Sequence, residues 1–192
     1  MPTTQAVQDL SPPHAARPGT SAVANPHHPG LPYFECEPFG PAYYDRAPVR
    51  FVNEVTLPVS PDALFDVFED PASWPVWAKG IAKVEWTSPK PYSTGTTRTV
   101  TFVNGTEVYE TFTAWDRGRT MAFCFTGTSQ ELWWRFGERY EVSDLGGVRC
   151  ALRWTVAFEP RGGFAKAQPL VRPILQQAFR WYMRRLRTYT SR

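Results

Sequence analysis

The chain has 192 residues, 42 % of them apolar and 15 % aromatic, enough for one domain with a substantial core. No stretch approaches the roughly 20 apolar residues of a bilayer-spanning helix, and Cys36, Cys124 and Cys150 lack the number and spacing of a disulfide framework or zinc site. The formal charge of +3 is uneven: residues 161–192 hold eight basic residues and no acidic one, leaving 13 basic against 18 acidic residues elsewhere.

Residues 1–30 are rich in Pro, Ser, Thr and Ala and cannot bury enough apolar surface to offset the entropy of ordering, so a disordered tail is expected. With neither a basic start nor an apolar run, the tail does not read as a secretory signal, and reduced thiols in a cytoplasmic protein are expected. All three histidines (His14, His27, His28) fall in it, which predicts a folded part without histidine. Residues 31–49 place Tyr33, Phe34, Phe39, Tyr43 and Tyr44 among prolines and read as an extended arm packed on the domain, near a pocket mouth.

The domain proper is expected over 50–192. Phe51 to Val59 has strand spacing, and Ser60-Pro61-Asp62 opens a helix with a capping hydroxyl and a proline at the first helical position. That helix ends by Asp70-Pro71, and a short turn runs from there to Gly80. Strands are predicted at 81–87, 96–103, 107–115, 120–126, 133–142 and 148–159, joined by Asn104-Gly105, Asp116-Arg117-Gly118 and Asp144-Leu145-Gly146-Gly147 turns. A terminal helix follows. Pro169 suits its first turn and Pro173 predicts a kink or a later start. At 100° per residue its apolar side chains, from Leu170 to Leu186, fill an arc of roughly 180°, with Arg180, Arg184 and Arg187 outside it.

Three stretches, VNEVTLPVSPDALFDVFEDPASWPVWAKGI (52–81), YETFTAWDRGRTMAF (109–123) and VRCALRWTVAFEP (148–160), resemble the START-like (SRPBCC) superfamily, in its polyketide cyclase/dehydrase and lipid transport group. Asp70, Pro71, Trp74 and Trp77 reproduce that family's Asp-Pro-x-x-Trp-x-x-Trp turn. The resemblance implies an α+β helix-grip fold: a seven-stranded antiparallel sheet wrapped around the long C-terminal helix, two short helices after the first strand, and a cavity between. One strand before the short helices and six after give the same count independently. The glycine-rich loop of the plant relatives is absent, and the histidines and serines of some catalytic relatives have no counterpart.

Strand alternation selects the inward side chains. Cys150, Leu152, Trp154, Val156 and Phe158 share one face of the last strand, and Trp134, Phe136, Glu138, Tyr140 and Val142 one face of the strand before it. Val108, Phe112 and Ala114 set Glu110 on the inner side of its strand, with Arg98 a partner on a neighbouring one. A carboxylate in such surroundings pairs with a cation or holds a proton at raised pKa. It then serves as a structural ion-pair member, a ligand anchor, or an acid and base for cyclisation or dehydration.

The expected ligand-binding set is Arg98, Glu110, Phe112, Trp134, Phe136, Glu138, Tyr140, Trp154, Phe179 and Tyr182, with Glu110 and Glu138 the catalytic candidates. The expected partner is a hydrophobic small molecule, lipid or polyketide-like, held in a carrier or transformed by a cyclase or dehydratase. No cofactor, metal or nucleic acid is expected. The basic face of the terminal helix reads as a solvated face or a transient contact with an anionic membrane surface.

Overall fold

A computed structural model describes residues 21–192; of the tail expected over residues 1–30, residues 1–20 lie outside the described residues. The elements run β1 (Val23–Ala24), β2 (Pro32–Glu35), α1 (Tyr43–Arg46), β3 (Val49–Leu57), α2 (Pro61–Glu69), α3 (Trp74–Trp77), β4 (Ile81–Trp86), β5 (Thr97–Phe102), β6 (Glu107–Asp116), β7 (Thr120–Thr128), β8 (Trp133–Asp144), β9 (Cys150–Pro160) and α4 (Gly162–Thr190). Seven strands form an antiparallel path ordered β3-β9-β8-β7-β6-β5-β4, so the first strand of the path closes against the last in sequence. Helix α4 lies across β3 and β9 and touches α3. This is the helix-grip arrangement.

Local chemistry explains the connections. The Ser60 hydroxyl accepts from the Ala63 N–H at 3.2 Å and Pro61 starts α2, satisfying one of the free donors of the first turn. Leu64, Phe65 and Phe68 form the buried face of α2. Trp74 Nε1 donates to the Phe68 carbonyl at 2.9 Å and fixes α3 on α2. At the β5–β6 turn Gly105 has φ +82°, which a residue with a Cβ adopts only at a cost.

Helix α4 begins at Gly162, one turn and more before the expected start near Pro169, and runs through both prolines. Phe164 anchors the early turns, its ring 6.0 Å from Phe158 and 6.3 Å from Trp133. Pro169 and Pro173 are exposed, so each removes one backbone hydrogen bond on the outer side while the packed side carries the helix.

The N-terminal region also departs from expectation. Strand β1 pairs with β2, and β2 pairs with β7 at Phe34–Thr128 and Glu35–Gly127. Residues 21–30 are therefore tied to the domain, although all of them but Asn25 stay exposed. Asn25 is buried, donates to Tyr109 Oη at 2.7 Å and accepts from the His27 and His28 N–H groups. The His27 ring stacks on Tyr109 at 4.2 Å, and His28 Nδ1 lies 3.2 Å from Glu107.

The aromatic arm packs on the outer face of the sheet, away from the sheet's concave side, and includes α1. Tyr44 is fully buried there and donates to the Phe123 carbonyl at 2.9 Å. A second small core of Tyr44, Ala122 and Ala157 forms around it, with Phe39 and Tyr43 alongside. Two glycines make room: a Cβ on Gly127 would sit 2.1 Å from the Tyr33 ring, and one on Gly137 would sit 2.6 Å from Phe39.

Candidate functional site

Between the concave sheet and α4 lies a cavity of about 230 Å³, walled almost entirely by apolar and aromatic side chains. Helix α3 contributes Trp74 and Trp77, the strands supply Phe123, Phe125, Trp133, Phe136, Tyr140, Trp154 and Phe158, and α4 supplies Phe164, Leu175, Phe179 and Tyr182. The Tyr182 hydroxyl approaches Gly80, where a Cβ would come within 2.8 Å of it. The polar members of the wall are few: Arg98, Glu110, Glu138 and the hydroxyl or indole groups of the aromatics.

Arg98 and Glu110 face each other across β5 and β6 in register. Arg98 Nε donates to Glu110 Oε2 at 2.5 Å, with side chains 1 % and 4 % exposed. Burial pushes the Glu110 carboxyl above its usual 4.5 while Arg98 pulls against it, so the carboxylate depends on the guanidinium beside it. The guanidinium also sits 4.3 Å from the Trp74 ring, 4.8 Å from Phe123 and 5.1 Å from Phe112, where the ring faces favour a cation. Arg98 Nη1 has no hydrogen-bond partner among the described residues.

Glu138 has a different setting. Its Oε2 accepts from Tyr140 Oη at 2.5 Å and from Trp154 Nε1 at 2.9 Å. The carboxyl is deep inside the protein, yet the side chain keeps some accessible surface because it borders the cavity. Burial raises its pKa from 4.5 to about 7; the nearby Glu110 charge adds to this and the two donors oppose it. Near neutral pH Glu138 therefore exchanges between acceptor and donor.

Eight of the ten expected ligand-binding residues line the cavity: Arg98, Glu110, Phe136, Glu138, Tyr140, Trp154, Phe179 and Tyr182. Phe112 does not. It is buried behind Arg98, against Trp86, Trp115 and Phe123. Trp134 points to the outer face, where the Arg161 guanidinium lies 4.6 Å from its ring. The reason is a register shift at the start of β8, where Trp133 opposes Pro160 but Arg135 opposes Glu159. That bulge inserts one residue, so Trp133 takes the inward place that strict alternation assigns to Trp134.

The cavity residues missed at the sequence level come mainly from α3, β7 and the early turns of α4. The Asp-Pro-x-x-Trp-x-x-Trp turn was the available signal for Trp74 and Trp77. Phe123 and Phe125 alternate visibly on β7 and could have been found by the same inward-facing test. Phe164 falls before the prolines that mark the expected helix start.

Among the described residues no cluster of three or more His, Cys, Asp or Glu side chains could hold a metal ion, and no helix is long and apolar enough to cross a membrane.

The comparisons agree with this architecture. The sequence profile described as "Polyketide cyclase / dehydrase and lipid transport" matches residues 48–190. An uncharacterized Mycobacterium tuberculosis protein, Rv2574, is 40 % identical over 158 residues, covering 82 % of this chain and 94 % of its own. Among solved structures, the Zhui aromatase/cyclase of Streptomyces sp. R1128 superposes with a TM-score of 0.62 at 14 % identity, over 75 % of this chain and 94 % of that one. A START superfamily protein of Mycobacterium smegmatis does so at 0.53 and 11 % identity, over 71 % and 98 %. At such identities the likeness is one of fold.

Proposed function

The chain belongs to the polyketide cyclase / dehydrase and lipid transport family, and from that premise we propose that it binds an apolar small molecule bearing ketone, phenol or similar oxygens. The observation that carries this reading is an imbalance in the cavity wall. Arg98 Nη1, Trp77 Nε1 and Trp133 Nε1 are all buried donors without a partner among the described residues, and all belong to wall side chains. Donor-only groups in an aromatic wall favour a ligand that brings acceptors, and Glu138 provides the complementary donor or acceptor according to pH.

The affinity would come mostly from apolar contact. An aromatic system of side-chain size buries roughly 150–250 Å², worth about 4–6 kcal/mol at 25 cal/mol per Å². The polar groups would set orientation. The Arg98–Glu110 pair would act as a fixed anchor, since Glu110 is already engaged. The three thiols are free and buried, which suits a reducing compartment, and a cytoplasmic location is part of the proposal.

A titration with 2-acetylnaphthalene and its hydrocarbon counterpart 2-ethylnaphthalene tests the reading. The ketone is expected to bind at least five-fold tighter, since satisfying one buried donor is worth about 1 kcal/mol or more. Equal affinities, or no binding of either, would remove the basis of the proposal.

A second reading is an enzyme of the cyclase or dehydratase type in the same cavity. Glu138 supports it, because a carboxyl with pKa about 7 that borders the ligand space suits a general acid and base. On this reading Glu138 alone shuttles the proton and Glu110 holds Arg98 in place. The sequence-level pairing of Glu110 with Glu138 as acid and base is therefore not retained.

A further inference from the structure

Helix α4 presents a second, outward face that the cavity does not use. Leu170 is 82 % exposed, Ile174 68 % and Trp181 39 %. At 100° per residue these three fall within about 40° of one another on the helix surface. Lys166, Arg184, Arg180 and Arg187 follow in order along one flank of the stripe, over about 60°, and all four are exposed. None of the four takes part in an ion pair among the described residues. The other flank carries Arg185, whose guanidinium lies 4.9 Å from the Trp181 ring and donates to the carbonyls of Val76 and Trp77. That contact joins the stripe to Val76, itself 38 % exposed at the surface of α3.

Solvent exposure of a lone leucine is ordinary, but an aligned Leu–Ile–Trp stripe beside a row of unpaired cations is not. We propose that this face of α4 docks on the surface of an anionic lipid bilayer. The chemistry of the two rows matches the two layers of such a surface. Leu170 and Ile174 would enter the acyl boundary, Trp181 would sit at headgroup level, and Lys166, Arg180, Arg184 and Arg187 would meet the lipid phosphates.

Charge distribution favours a bilayer approached through this helix: the segment 161–192 has no acidic residue, while the rest of the chain has an acidic excess. The nearest acidic side chain on the surface groove beside Arg180, Arg184 and Arg187 is Glu54, and Arg153 already pairs with it at 3.2 Å. An acidic protein partner would be served by the arginines alone and would leave Leu170 and Ile174 unexplained. The proposal stands whatever the cavity holds, but it has a consequence for it: the docking element is also the wall that carries Leu175, Phe179 and Tyr182.

The test is co-sedimentation of the full chain with vesicles of phosphatidylcholine containing or lacking one quarter phosphatidylglycerol, at low and high salt. Binding to the anionic vesicles is expected, weakened by salt and nearly lost on neutral ones. Arg180→Gln with Arg184→Gln should reduce it by about five-fold per arginine. Leu170→Ser with Ile174→Ser should reduce it by about ten-fold or more. Both pairs are exposed and away from the cavity wall, so thermal unfolding should match the parent. Absence of vesicle binding at low salt would overturn the proposal. So would arginine-dependent binding that ignores the Leu170→Ser/Ile174→Ser change, or a self-association that the same change abolishes without any vesicle binding.

Discussion

Replacing Glu138 with glutamine isolates the energetic cost of one buried carboxyl. Glutamine keeps an oxygen to accept from Tyr140 Oη and Trp154 Nε1 but cannot ionise. The carboxyl titrates at 4.5 when exposed and at about 7 in the fold. At about 1.4 kcal/mol per pH unit that interval corresponds to about 3 kcal/mol, reduced to about 2–3 because the group borders the cavity. The folded pKa is the higher one, so the stabilisation from the neutral carboxyl is fully present below pH 4.5 and is lost as pH rises through 7.

The difference in unfolding free energy between Glu138→Gln and the parent should therefore grow in the variant's favour by about 2–3 kcal/mol between pH 4.5 and pH 8, then level off. Urea unfolding at a series of pH values measures it, and titrating groups not coupled to Glu138 cancel in the difference. A constant offset across the range would mean that Glu138 is ionised throughout. The Tyr140 and Trp154 donors would then outweigh burial, and the assignment of Glu138 as a switchable donor would fail.

Removing one side of the buried ion pair is expected to be costly. Arg98→Met leaves Glu110 in an aromatic pocket without its counter-ion, either charged or forced to take up a proton, and should lower stability by about 3–5 kcal/mol, whereas adding Glu110→Leu should recover much of that; urea unfolding of the single and double variants measures the coupling. Gly127→Ala sets a methyl against the Tyr33 ring. It should release the β1–β2 hairpin at a cost of about 1–3 kcal/mol, read as faster hydrogen exchange over residues 21–36.

Most of the fold was legible because its signals are local. Ser60-Pro61, Asn104-Gly105 and the period-two strands each follow from short-range chemistry, and all seven strands of the main path fall within about two residues of their expected ends. The Arg98–Glu110 pairing was legible too, since both side chains face inward on neighbouring strands. What escaped depends on contacts between distant parts of the chain. The bulge that exchanges Trp133 for Trp134 is a property of the β8–β9 pair and leaves no mark on β8 alone. The order in residues 21–30 comes from Asn25, His27 and His28 finding Glu107 and Tyr109 on β6, partners about 80 residues away. The early start of α4 rests on Phe164 meeting Trp133 and Phe158, which outweighs two prolines that read locally as a first turn and as a kink or later start.

The segment before β3 also governs how the protein can be cut. Strands β7 and β8 pair only from Thr120–Glu141 to Cys124–Gly137, and beyond that they splay apart. Residues 33–37 fill the gap. The Cys36 N–H donates to the Thr126 carbonyl at 3.0 Å and the Glu37 N–H to the Trp134 carbonyl at 2.7 Å, while the Tyr33 hydroxyl donates to Thr126 at 2.8 Å. A truncated protein beginning at residue 48, where the family match starts, would leave these carbonyls and the outer half of β7 as a bare strand edge. Such an edge recruits other chains, so this domain, trimmed to its family limits, would aggregate where the longer protein does not.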